Sequence, residues 1–158
     1  MVVLYCGKIK VIYLTFGVKE MIELSNFIKN ESETTEKYIC YSLRQKIQIF
    51  NCQLQDDADC SIYVANNLDI DSMGNKLKSY IDELNNCSEK LTSYYEKEIN
   101  EEVYDNWFND IEVFSIEIIF NSIDDYGATI ICGDQILQDH TLEIYFDKNE
   151  IEQIILIG

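Results

Sequence analysis

Apolar side chains recur along this chain with two different periods, and the switches between them predict the order of its elements. Residues 2–5 and 9–16 are dominated by β-branched and aromatic side chains and meet at Cys6-Gly7, where Gly7 is free to take a positive φ, so they read as a hairpin. Val18, Met21, Ile22, Ser25 and Ile28, widened by Leu24 and Phe27, return at helical spacing and predict a helix that ends near Asn30. The polar stretch 31–37 reads as an exposed loop. Ile47 and Ile49 alternate within 43–54, and Ile62 and Val64 within 60–65. The segment Gln55-Asp56-Asp57-Ala58-Asp59 between them predicts a central hairpin with an acidic tip.

From Ser72 the period lengthens: Leu77, Ile81, Leu84, Leu91, Tyr95, Ile99 and Val103 keep to every third or fourth position. Asn85-Asn86 followed by Ser88 divides this region into two helices, with Asn stopping the first and Ser capping the second. Asp71 and Ser72 stand where N-terminal caps of the first helix belong, and Trp107 lies just beyond the pair, placed to pack between helix and sheet. The last third reads as a meander over 111–120, 126–132, 141–146 and 151–157, separated by Asp124-Asp125, Gly133-Asp134 and Asp147-Lys148-Asn149. In its third strand Leu142, Ile144 and Phe146 alternate with Thr141, Glu143 and Tyr145. The expected fold is α+β: an antiparallel sheet of the four-strand meander plus the central hairpin, packed against the helical pair over 73–102.

Composition sets the scale of that fold. With 158 residues, 47% of them hydrophobic and no shift in composition along the chain, residues 1–158 read as a single domain able to bury one core. There are no prolines and only 6 glycines, so turns rely on Asn, Asp and Ser. Lys8 and Lys10 interrupt the apolar N-terminal stretch, no small-residue cleavage site follows, and no run of about twenty apolar residues occurs, which predicts a cytoplasmic chain without a membrane span. Cys6, Cys40, Cys52, Cys60, Cys87 and Cys132 lack the close spacing of a zinc half-site, and His140 is the only histidine. Reduced, packed thiols and no metal are expected.

Charge narrows the partners. With 29 acidic and 12 basic residues, the formal net charge is -17. A phosphate backbone would be repelled, whereas a basic protein would be steered in. Asp56, Asp57 and Asp59 in one turn and Asp124 and Asp125 in another are the expected contacts for such a partner. As calcium ligands the same acids lack the twelve-residue loop with its central Gly and terminal Glu. Asp69-Ile70-Asp71, readable as a metal pair, suits a helix start better. One loop invites a catalytic reading, because Asp134 and Asp139 flank His140 and a carboxylate is able to orient an imidazole for acid-base work. No nucleophile or second histidine accompanies it, and phosphate-binding loops, dinucleotide fingerprints and serine elbows are all missing from the sequence, so no catalytic residue and no cofactor are assigned.

The helical pair ending in Trp107, together with Gly133-Asp134, His140, an alternating strand and Gly158 after Ile151-Glu152-Gln153-Ile154-Ile155-Leu156-Ile157, resembles an uncharacterised bacterial family, the domain of unknown function 2262. The resemblance runs from about Lys76 to the end; Ile136, Leu137, Gln138 and Asp139 replace the aromatic and Gly residues of the family before its histidine. It implies a small α+β bacterial protein of a kind that includes immunity proteins accompanying secreted toxins. Joined to the charge, it gives the functional expectation of an inhibitor that neutralises a basic toxin, such as a nuclease, with a small enzyme built on the Asp134, Asp139 and His140 loop, or an acidic adaptor, as the alternatives.

Overall fold

The computed structural model describes residues 27–43, 47–54 and 58–158. The predicted N-terminal hairpin and most of the helix after it lie outside these residues. The end of that helix does not: Phe27–Lys29 is a strand, β1, paired antiparallel with Leu43, Ser42 and Tyr41 of β2 (Tyr38–Leu43). Phe27 meets the Tyr41 ring edge-on at 6.3 Å, so a cross-strand aromatic pair outweighs the local helical spacing.

The predicted central hairpin is also redrawn. Strand β5 (Asp59–Ala65) pairs with β2, Ile39 opposite Val64 and Tyr41 opposite Ile62, and the stretch holding Ile47 and Ile49 folds into a separate small hairpin, β3 (Gln48–Ile49) and β4 (Cys52–Gln53). Phe50 and Asn51 link its strands with φ of 56° and 61°, the positive pair that a two-residue type I′ turn demands. A phenylalanine is an unusual choice there. Its ring is fully buried, 5.3 Å from Phe108 and 6.2 Å from Phe146, and that burial offsets the backbone cost. Asn85 fastens the turn to the helices by accepting from the Asn51 N–H at 2.9 Å and donating to the Gln48 carbonyl at 2.9 Å.

Helices α1 (Ile70–Asn85) and α2 (Ser88–Ile99) confirm the helical pair, with adjusted ends. Asp69, and not Asp71 or Ser72, is the N-cap of α1, accepting from the Asp71 N–H at 3.2 Å. Cys87 precedes α2 in place of a Ser88 cap, because the two-residue reversal turns position 87 into the core, where an apolar thiol fits. Asn100 ends α2 in the left-handed conformation, before the predicted limit at Glu102. Met73, Leu77, Tyr80, Ile81 and Leu84 of α1 and Leu91 and Tyr95 of α2 are buried.

A 3-10 turn at Trp107–Asp110 leads into the meander, β6 (Glu112–Phe120), β7 (Tyr126–Gly133), β8 (Thr141–Asp147) and β9 (Glu150–Ile157), much as the alternation predicts. All strands except β3 and β4 form one sheet in the order β1-β2-β5-β6-β7-β8-β9. It is mixed and not purely antiparallel, since β5 and β6 run parallel, Ile62 beside Ile118. The helical pair between them supplies the crossover that parallel neighbours require. Val64, Ile62, Ile116, Ile118, Phe120, Ala128, Ile130, Cys132, Leu142, Ile144 and Phe146 form the buried face under the helices. The α+β class is thus the observed one.

Candidate functional site

Because strand side chains alternate, whatever is not under the helices shares the other face of the sheet. That face carries Ser42 on β2, Ser61 and Tyr63 on β5, Ser115 and Glu117 on β6, Thr129 and Ile131 on β7, and Glu143 and Tyr145 on β8. All of these are half-buried or exposed, and among the described residues no helix packs over them. Two concavities mark it, one of about 260 Å³ lined by Ser115, Glu117, Thr129, Ile131, Glu143 and Tyr145, the other of about 420 Å³ over β2, β5 and β6. Ser115 and Glu117 line both, so they form one trough across five strands. Among the described residues Glu33, Asp59, Glu117 and Glu143 supply its charge, and no described lysine or arginine lines it.

Hydrogen bonds fix one end of the trough. The loop after β1 brings Glu33 over the sheet, where its Oε2 accepts from the Tyr63 hydroxyl at 3.1 Å and from the Cys40 thiol at 3.4 Å. Burial first, and then the Glu33 carboxylate, hold both groups above their ordinary pKa, so each stays a proton donor. At the far end Glu143 similarly raises the Tyr145 phenol. The surface therefore offers carboxylate and hydroxyl oxygens to a partner, the complement of ammonium and guanidinium groups.

The acids expected from sequence do not come together. Asp59 opens β5 beside Ser115 and lines the larger concavity, while Asp56 and Asp57 lie outside the described residues. Asp124 and Asp125 are exposed in the β6–β7 turn, where the Asp125 carbonyl accepts from the N–H groups of Asn121 and Ser122 at 2.9 and 3.0 Å. That turn follows Phe120, five residues along β6 from Ser115, or roughly 17 Å at strand rise. Glu33, Glu117 and Glu143 were not among the expected contacts. The alternation of Thr141, Glu143 and Tyr145 against Leu142, Ile144 and Phe146 is the signal that pointed to the outer face; which strands adjoin on it is a matter of sheet order.

The histidine loop has a different construction. Asp134 is buried, and its carboxylate accepts from the Trp107 indole at 3.0 Å and from the N–H groups of Ile136 and Leu137 at 2.9 and 2.8 Å. Those bonds hold the loop closed over the core. Asp139 and His140 are exposed, the His140 ring lies against Gly158, and among the described residues neither carboxylate is hydrogen bonded to the imidazole.

The described thiols, Cys40, Cys52, Cys60, Cys87 and Cys132, are free, and no group of His, Cys, Asp and Glu among the described residues is placed to hold a metal ion. No described helix is long and apolar enough to cross a membrane. Comparison with family models, with curated proteins and with solved structures finds no match for this chain.

Proposed function

We propose that this chain is a protein-binding domain whose acidic sheet face receives a basic partner, and that it serves as an immunity protein neutralising a toxin domain, such as a nuclease with a basic active-site surface. The observation that carries the reading is the trough over β2, β5, β6, β7 and β8, which presents Glu33, Asp59, Glu117 and Glu143 with hydroxyl groups and, among the described residues, no basic side chain. The net charge of -17 adds long-range attraction to the same kind of partner. An acidic inhibitor of this shape acts by occlusion: steering brings it quickly to the basic surface, and the sheet face then blocks access of a polyanionic substrate.

Co-expression with the product of the adjacent gene tests the reading. The wild-type chain is expected to co-purify with that product and relieve its toxicity, and the Glu117→Gln/Glu143→Gln double variant to do so less well. A non-toxic neighbour that does not bind, or binding unchanged in the double variant, would sink it.

A further inference from the structure

Strand β6 breaks its pairing with β7 at one point. Val113 lies opposite Cys132 and Ser115 opposite Ile131, so Phe114 is the extra residue of a β-bulge. In an unbroken strand Phe114 and Ser115 would take opposite sides of the sheet. The bulge turns both away from the core: Val113 and Ile116 on either side of them are buried, Ser115 lines the trough, and Phe114 is 44% exposed. The Phe114 ring lies over Gly133, where a Cβ would come within 2.9 Å of its Cζ. Glycine at 133 thus leaves a bed for an aromatic ring beside the trough.

Three aliphatic side chains extend this surface. Ile131 and Ile155 lie opposite Glu143 on its two neighbouring strands, and Ile157 lies opposite Thr141, two residues along β8 from Glu143. Directly opposed residues share a face, so all three point to the same side as Glu143. Ile131 and Ile155 are half-buried, and Ile157 is 48% exposed. Glu143 is therefore a carboxylate set between two isoleucines, and among the described residues no lysine or arginine pairs with it. Solubility accounts for surface acids alone. It does not account for an aromatic side chain held open at their edge by a break in the ladder.

We infer that this end of the trough takes a segment of a basic protein that carries an aliphatic side chain beside a lysine or arginine, with Phe114 as the apolar anchor. The cation pairs with Glu143, its methylene stem lies along Ile131 and Ile155, and the aliphatic group packs against Phe114 and Ile157. The two partner groups stand about 7 Å apart, the span of two strand residues, as Glu143 stands from Thr141 beside Ile157. Charge fixes the occupant. An acidic segment, a second copy of this chain with its net charge of -17 included, would bring like charge to Glu117 and Glu143. The inference rests on the reading of this face as the receiver of a basic protein. It adds a division of labour in which the acids govern approach and the aromatic anchor carries affinity.

Two fluorescent peptides of equal charge, one repeating Lys-Ser-Leu-Ser and one repeating Lys-Ser-Ser-Ser, test it by anisotropy on the full chain. The leucine peptide is expected to bind about ten-fold more tightly, the worth of one buried leucine. Phe114→Ser should abolish that preference with unchanged far-ultraviolet dichroism, and Glu143→Gln should weaken both peptides. Equal affinity for the two peptides overturns the inference, as does a leucine preference that survives Phe114→Ser. So does a Phe114→Cys thiol shielded from maleimide in the free chain, which would put residues 1–26 or a second copy over the anchor. The peptides are independent of the adjacent gene product. A leucine preference without co-purification therefore rejects the toxin reading alone, and co-purification without a leucine preference rejects this inference alone.

Discussion

The Trp107 indole N–H donates to Asp134 Oδ2 across 3.0 Å inside the protein, joining the turn after the helical pair to the loop between β7 and β8. Tyr95 packs on the same indole at 4.6 Å between ring centroids, so helix, turn and loop meet at one buried polar bond. Replacing Asp134 with alanine strands three donors, the indole and the N–H groups of Ile136 and Leu137. The expected loss is about 3 kcal/mol, whereas Asp134→Asn, which keeps the acceptor oxygen, should lose about half of that. Urea unfolding followed by fluorescence of the sole tryptophan measures both.

Two other buried polar groups point the opposite way. Among the described residues the Tyr80 and Tyr95 hydroxyls are buried with no hydrogen bond of ordinary geometry, although burial and then the nearby Asp134 carboxylate hold the Tyr95 phenol above its usual pKa. Tyr80→Phe and Tyr95→Phe each remove a desolvated hydroxyl and keep the ring packing, including the edge-on contact of Tyr80 with Tyr126 at 4.9 Å. Each should leave stability unchanged or raise it by up to about 1 kcal/mol. A clear loss in either would show that the hydroxyl has a partner.

Gly127 is set by a close approach. A Cβ there would run into the Phe146 carbonyl oxygen, a backbone atom that cannot swing aside. Gly127→Ala should therefore cost about 2 kcal/mol or more and lower the thermal midpoint, by separating β7 from β8. At Gly158 the obstacle is the His140 side chain, an exposed ring able to turn away, so Gly158→Ala should be close to neutral.

Alkaline pH should destabilise the fold through its thiols. Burial raises the Cys87 thiol from an ordinary 9.0 to about 12, and Cys60 from 9.0 to about 12. The folded state thus binds protons that the unfolded chain releases first, so this contribution is intact below pH 9 and is lost as pH climbs from 9 toward 12. Denaturant midpoints should fall across that window, and Cys87→Ala should flatten the decline. At neutral pH the same burial should make native Cys87 and Cys132 react with iodoacetamide far more slowly than the unfolded chain.

For partner binding, the position of the acids should separate two roles. Neutralising Asp124 and Asp125, in an exposed turn at the end of β6, should slow association and weaken its salt dependence with little effect on dissociation. Glu117→Gln and Glu143→Gln, in the trough itself, should also speed dissociation. Stopped-flow kinetics over a salt series measures both; association that ignores salt would contradict the electrostatic basis of the proposal.

The sequence by itself determined the meander and the helical pair, since each is written in a run long enough for its period to declare itself: Leu142, Ile144 and Phe146 for β8, Leu77, Ile81 and Leu84 for α1. It also determined the acidity of the surface. Tertiary structure decided the short and shared features. Phe27–Lys29 is a strand because Tyr41 waits across from it, and Phe50 accepts a positive φ because Phe108 and Phe146 bury its ring. Strand order, with β5 parallel to β6, put Ser61, Glu117 and Glu143 on one open face, though they are scattered along the chain. Local pattern says which side of its own strand a residue takes; hydrogen bonding between distant strands decides which residues become neighbours on that side.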